Sequence, residues 1–190
     1  MFQNVVQFKD YNVLYTYMDI PQFEGGWSYT QKEMNELFKH IVYTPTYAIL
    51  EFGSGASTFT LYDHFKKHVE TLLFDSYESN VRYYITHNGI NMILYDENNI
   101  ANTPIRDIQY DLILVDGPNS DKRSQWYSKI RSNVKPGTIL LVDDFNHFPC
   151  FSEELDRNFN YELLSYSNEP PGAWCEHSWK IVRIINAKAI

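Results

Sequence analysis

Apolar positions along the chain gather into five short continuous runs separated by amphipathic stretches. The runs are Ala48 to Phe52, Leu72 to Phe74, Ile90 to Tyr95, Tyr110 to Val115 and Thr138 to Val142. Continuous rather than alternating apolarity marks strands covered on both faces. Between the runs, Ser57 to His68, Ser79 to His87 and Ser120 to Val134 read as helices, the last stopped by Lys135-Pro136-Gly137. Repetition of strand, helix, strand predicts a parallel, doubly wound α/β sheet. Ahead of it, Thr30-Gln31-Lys32-Glu33 has the capping-box pattern, and Met34, Leu37, Phe38 and Ile41 follow at the spacing of a leading amphipathic helix. Beyond Phe159 the pattern changes. Tyr161 to Tyr166 and Trp179 to Ile185 read as two strands, an antiparallel terminal pair joined by Ser167 to Ser178.

The chain has 190 residues with no repeat, low-complexity tract or Gly/Ser/Pro-rich linker, which implies a single domain over 1–190. Residues 1–44 carry the N-terminal segment and leading helix, 45–147 the central strands, and 148–190 a C-terminal helix and strand pair. A domain of this size buries roughly 70% of its unfolded surface and needs no disulfide or structural metal. The two cysteines, Cys150 and Cys175, lack any CxxC spacing and read as ordinary thiols. A net charge of −8 opposes partners held through phosphate backbones, so no nucleic acid is expected. The segment Met1 to Asp10 lacks a basic and then apolar leader pattern. No run approaches the roughly 20 apolar residues that span a bilayer, and a cytoplasmic protein without a membrane partner is expected.

The chemistry concentrates where the first strand runs into Glu51-Phe52-Gly53-Ser54-Gly55-Ala56-Ser57-Thr58. Glycines let a ligand approach the backbone, and the following helix N-terminus offers unpaired amides. A dinucleotide fold wants a third glycine for close helix packing where this chain has Thr58, which disfavours NAD. Glu51 would repel a pyrophosphate but suits a ligand carrying an amine and a sulfonium, and so points to S-adenosylmethionine.

This segment resembles the first motif of class I S-adenosylmethionine-dependent methyltransferases. The resemblance implies a Rossmann-like fold with a seven-stranded, mostly parallel sheet, and a loop wrapping the methionine part of the cofactor through Glu51, Gly53, Ser54, Gly55, Ser57 and Thr58. It also implies an acid at the end of the second strand for the ribose hydroxyls. Asp75 and Glu78 compete for that role, and Glu78, next to the following helix, is preferred. After the third strand, Asp96 stands where the family often contacts the adenine amino group, and Asp116 borders the cofactor.

Ligands of an open parallel sheet bind beyond the carboxyl ends of its strands. Val115-Asp116-Gly117 closes the fourth strand and Val142-Asp143-Asp144-Phe145 the fifth. Neighbouring strands stand about 4.8 Å apart, which would crowd Asp116, Asp143 and Asp144. Crowded carboxylates hold a proton or recruit a hard cation, and an oxygen-only set suits Mg²⁺ or Mn²⁺ over Zn²⁺. Asp116-Gly117, Lys135-Pro136-Gly137 and Val142-Asp143-Asp144-Phe145 are together similar to the metal-dependent sugar O-methyltransferases of antibiotic biosynthesis, in which the corresponding aspartates hold the metal. The segment Pro118 to Arg123 departs from what that family has after its Asp-Gly.

The implied activity is methyl transfer to a hydroxyl of a sugar or glycan, assisted by a divalent metal. Asp116, Asp144 or His147 would remove the proton, with His147 preferred. Trp27, Tyr29 and the segment Trp174 to Trp179 offer aromatic faces for an acceptor. The rivals are a metal-independent small-molecule O-methyltransferase using His147 as base, and a noncatalytic cofactor-binding module.

Overall fold

The computed structural model describes residue 29 and residues 31–80, 87–118, 120–146, 149–167 and 178–189. The leading helix α1 (Gln31–Phe38) precedes β1 (Thr46–Phe52), α2 (Ala56–Lys66), β2 (Thr71–Glu78), β3 (Asn91–Leu94) and β4 (Tyr110–Val115). Then come α3 (Gln125–Lys129), β5 (Val134–Asp143), α4 (Pro149–Asn158), β6 (Phe159–Ser167) and β7 (Trp179–Ala187).

The strands form one seven-stranded sheet in the order β3-β2-β1-β4-β5-β7-β6. Strands β1 to β5 pair in parallel, and β7 runs antiparallel to both β5 and β6. From β1 the chain builds outward through β2 and β3, then returns to place β4 on the opposite side of β1. That reversal opens a crevice beyond the ends of β1 and β4, where such sheets receive ligands.

The continuous apolar runs have a simple cause. Successive side chains of a strand point to opposite faces, and here both faces are covered. Ile49, Leu112 and Leu141 join Leu37 and Phe65 in one core layer. Leu50, Ile113 and Leu140 join Trp126, Tyr127 and Phe151 in the other. Trp126 is fully buried, stacks on Phe52 at 3.8 Å between ring centroids and donates from Nε1 to the Gly117 carbonyl at 3.0 Å.

Three local expectations change. Strand β2 continues four residues past the apolar run to Glu78, because its polar members Asp75 and Ser76 are satisfied inside the protein. Lys135-Pro136-Gly137 does not stop a helix. It lies within β5 at an irregularity where the pairing steps from Tyr110 with Val134 to Leu112 with Ile139. The Thr138 hydroxyl closes this excursion, donating to the Tyr110 carbonyl at 2.7 Å and accepting from Lys135 N–H at 3.0 Å. The helix expected over Ser120 to Val134 is divided: turns of 3-10 helix at Asp121–Ser124 and Ile130–Ser132 flank the five-residue α3. The helix expected over Ser79 to His87 falls largely on residues 81–86, outside the described residues. Among the described residues no helix is long and apolar enough to cross a membrane.

Candidate functional site

The two glycines after β1 have different reasons to be glycine. Gly53 has a φ of 97°, and a Cβ on it would meet Gly117 N at 2.7 Å; a Cβ on Gly117 would meet Gly53 Cα at 2.8 Å. The chain leaving β1 crosses the chain leaving β4 so closely that neither position admits a side chain. Gly53 is therefore required by the fold itself. Gly55 has extended backbone, and nothing lies within 4 Å of where its Cβ would be. The protein leaves open space beside it, at the start of α2.

Glu51, at the end of β1, has no exposed surface. Its Oε2 accepts hydrogen bonds from the Thr58 hydroxyl at 2.7 Å and the Ser76 hydroxyl at 2.6 Å, and Thr58 Oγ1 in turn accepts from Gly55 N–H at 2.9 Å. Oε1 is buried and has no hydrogen-bond partner among the described residues. Burial pushes the carboxyl up to about 8; the Ser76 and Thr58 bonds oppose this, and the charges of Asp116 and Glu78 add to it. A bare buried carboxylate oxygen is costly, and a bound ammonium group relieves that cost. Thr58 and Ser57 are buried as Glu51 is, and the Thr58 hydroxyl ties Glu51 to the loop at Gly55.

Asp75 and Glu78 lie three positions apart in β2 and so face opposite sides of the sheet. Asp75 is fully buried and engaged: Oδ2 accepts from the Tyr110 hydroxyl at 2.6 Å, and Oδ1 from Asn91 Nδ2 at 2.6 Å, with Arg106 Nη2 3.0 Å away. These partners anchor it across β2, β3 and β4. Glu78 ends the strand beside the glycine loop. Its Oε2 accepts from Ser54 N–H at 2.9 Å and the Ser54 hydroxyl at 3.0 Å, and Oε1 from Asn80 N–H at 2.6 Å. Burial raises its pKa. Asp96, just past β3, is exposed, and its Oδ1 accepts from Asn98 N–H at 2.9 Å to cap the turn.

Across the crevice, the parallel register of Val115 with Val142 sets the ends of β4 and β5 side by side. Asp116, Asp143 and Asp144 offer carboxylate oxygens that all lie within 4.8 Å of one another. Asp144 takes the left-handed conformation (φ 54°), which aspartate tolerates better than most residues.

Two charged residues that sequence reasoning missed complete the cluster. Arg123 is 2% exposed; Nε donates to the Pro118 carbonyl and Nη1 to the Asp143 carbonyl, each at 3.0 Å. Its guanidinium lies over Phe151 and stands 3.6 Å from Asp116 Oδ1 and 3.7 Å from Asp144 Oδ2. Glu33, read from sequence as a capping-box acid, is instead fully buried and raises Asp143 by its charge and by hydrogen bonding. Burial first, then neighbouring carboxylates, push Asp116 and Asp143 well above the usual carboxylate range, with Arg123 opposing. Asp143 Oδ1 is buried without a hydrogen-bond partner among the described residues. The all-oxygen donor set of Asp116, Asp143 and Asp144, with one bare buried oxygen, suits a hard divalent cation. His147, Trp27 and the stretch Trp174 to His177 lie outside the described residues.

No protein-family model matches the sequence, and no curated protein is similar to it. Solved structures do match. N-methyltransferase NodS from Bradyrhizobium japonicum, in complex with S-adenosylhomocysteine, superposes with a TM-score of 0.57 at 11% identity, over 92% of this chain and 97% of NodS. The ribosomal protein L11 methylase of Lactobacillus delbrueckii gives 0.53 at 10% identity, over 80% of this chain and 75% of the methylase. An rRNA methylase from Streptococcus thermophilus gives 0.53 at 8% identity, over 83% and 98%. The fold is thus the Rossmann-like fold of class I methyltransferases, with the antiparallel C-terminal pair.

Proposed function

We propose that this protein is an S-adenosylmethionine-dependent O-methyltransferase that methylates a hydroxyl of a sugar or glycan, assisted by Mg²⁺ or Mn²⁺. The observation that carries the reading is the bare, buried Oε1 of Glu51, a residue tied through Thr58 to the loop at Gly55, where the protein leaves open space. Glu51 would accept the ammonium group of the methionine moiety, and the N-terminal amides of α2 would face its carboxylate. Glu78 would accept the ribose hydroxyls, with Asp96 toward the adenine. The cofactor supplies a methyl group already activated on a sulfonium.

Asp116, Asp143 and Asp144 would hold the cation, which when bound orients neighbouring hydroxyls and lowers their pKa. Asp116, at the meeting point of the glycine loop and the acid cluster, would border both substrates and accept the acceptor's proton, the role His147 shares in our reading. Metal-independent transfer is the second reading, favoured by Arg123, which already brings a positive charge to the cluster. The setting we propose is cytoplasmic, with a small-molecule or glycan acceptor; a net charge of −8 supports an acceptor other than nucleic acid.

Replacing Gly55 by Val tests the reading. The new side chain meets only open space, so the thermal midpoint should stay within about 2 °C while S-adenosylhomocysteine binding is lost by calorimetry. Retained binding contradicts the cofactor loop. Asp143→Ala should abolish metal-dependent transfer and metal binding while S-adenosylhomocysteine affinity stays within about threefold. Metal binding that persists contradicts the cation site.

A further inference from the structure

Arg123 belongs to the turn of 3-10 helix that follows β4, where its N–H donates to the Ser120 carbonyl at 3.1 Å. Its buried side chain is held from three directions. Nε donates to the Pro118 carbonyl just past β4, and Nη1 donates to the Asp143 carbonyl at the end of β5, each at 3.0 Å. The guanidinium also lies over the ring of the buried Phe151, 5.3 Å from its centroid. Its positive charge is therefore fixed by the backbone of the two strand exits that carry the aspartates. An arginine on a free arm swings away from an arriving cation; this one is tied down.

The distances to the carboxylates decide what Arg123 contributes. Nη2 stands 3.6 Å from Asp116 Oδ1 and Nη1 3.7 Å from Asp144 Oδ2, both longer than the roughly 2.7–3.2 Å of an N–H···O hydrogen bond. Arg123 thus lends the cluster a unit of positive charge and makes no hydrogen bond to either of those oxygens. The carboxylate oxygens of Asp116, Asp143 and Asp144 lie within 4.8 Å of one another, so an ion bound among them would meet that charge at close range. The repulsion grows in proportion to the ion's own charge, and a trivalent ion is penalised half as much again as a divalent one.

We infer that Arg123 is the charge selector of the cation site: its guanidinium, fixed on backbone carbonyls and beyond hydrogen-bond reach of the Asp116 and Asp144 carboxylates, holds the site to divalent ions. This role rests on the cation site proposed above and adds to it the residue that sets which ions the aspartates accept. Without the guanidinium the same carboxylates would favour the more highly charged ion. Protons released by the carboxylates are released to either ion alike, so the ratio of two ions' affinities isolates the effect of the neighbouring charge.

The test titrates MnCl₂ and TbCl₃ by calorimetry into the full chain, freed of metal, as wild type, Arg123→Gln and Arg123→Lys. Low salt keeps the charge effect unscreened, and circular dichroism checks that each variant folds. We expect saturable Mn²⁺ binding in the wild type. The preference for Tb³⁺ over Mn²⁺ should rise about tenfold or more in Arg123→Gln, while Arg123→Lys, which keeps the charge, stays within about threefold of the wild type. An unchanged preference in Arg123→Gln overturns the inference. An equal rise in Arg123→Lys also overturns it, by assigning the effect to the bonds of the guanidinium rather than to its charge. The wild type supplies a check that needs no variant to fold: Tb³⁺ should bind less than about tenfold tighter than Mn²⁺, and a stronger preference overturns the role of Arg123. A wild type that binds neither ion removes the cation site and the inference with it; binding of S-adenosylhomocysteine by the same preparation separates that failure from a failure of the methyltransferase reading.

Discussion

Glu51 carries two hydroxyl donors on one oxygen and none on the other, an asymmetry that in the function we propose makes a buried acid the receptor for a cation. Its folded pKa, about 8 against an ordinary 4.5, means that the free protein holds it protonated at neutral pH. A bound ammonium group favours the carboxylate, so uptake of S-adenosylhomocysteine between about pH 4.5 and pH 8 should release a proton. Calorimetry at pH 7 in phosphate and in Tris reads this directly: the heats should differ by the difference in buffer ionisation, and equal heats contradict the role. Glu51→Gln should weaken binding tenfold or more and abolish the buffer dependence. Much of this loop was legible, because an acid two positions ahead of a Gly-x-Gly turn is a local pattern. What sequence could not separate was glycine required by the chain from glycine required by a ligand. Gly53 answers to the backbone of Gly117, a contact made across 64 positions, whereas Gly55 answers to nothing in the protein. How far β2 extends likewise lay beyond the local pattern, because the partners of Asp75 decide it.

At the scale of elements, apolar runs located five strands because burial on both faces leaves little choice of residue. Lys135-Pro136-Gly137 misled for a physical reason. Pro and Gly mark a break in regular pairing, and a helix end and a bulge are both such breaks. Only the register of β5 against β4 distinguishes them. The short α3 shows the opposite limit: Trp126, Tyr127 and Ile130 are fully buried, yet two turns of 3-10 helix carry the chain around Arg123 rather than through a continuous helix. Trp126 links this segment to the site, through its stack on Phe52 and its bond to Gly117. Trp126→Ala should cost about 3–5 kcal/mol by urea denaturation, and by loosening the crossing of Gly53 and Gly117 it should also weaken S-adenosylhomocysteine binding. A loss below 1 kcal/mol would show that the segment does not brace the crevice.

For the whole molecule, the sheet gathers at one edge carboxyls drawn from α1, β1, β4 and β5, with Arg123 as the counter-charge. The convergence of Asp116, Asp143 and Asp144 could be anticipated from strand adjacency, but Arg123 and Glu33 could not, since each sits among polar neighbours that read as solvated surface. Glu51, Asp116 and Asp143 all have folded pKa values raised by burial. Each folded carboxyl binds its proton more tightly than the unfolded chain does, so these three contribute stability in mild acid that is lost as pH rises from about 4 through 8, while His64, pushed down to about 4 by burial, acts in the opposite sense below its ordinary 6.5. Thermal melts from pH 5 to pH 8 should show a falling midpoint, and Mg²⁺ should recover part of the loss at pH 8. Arg123→Met should destabilise by about 3–5 kcal/mol, more at pH 8 than at pH 5, since it leaves buried carboxylates uncompensated. A midpoint that rises with pH contradicts the placement of these charges. The central claim, a cofactor site at the switch point of the sheet, is tested most directly by calorimetric titration of S-adenosylhomocysteine into chelator-treated protein, repeated with Mg²⁺ or Mn²⁺. Saturable binding in both titrations, together with separate binding of the metal, is the predicted result; no binding of S-adenosylhomocysteine under either condition would contradict it.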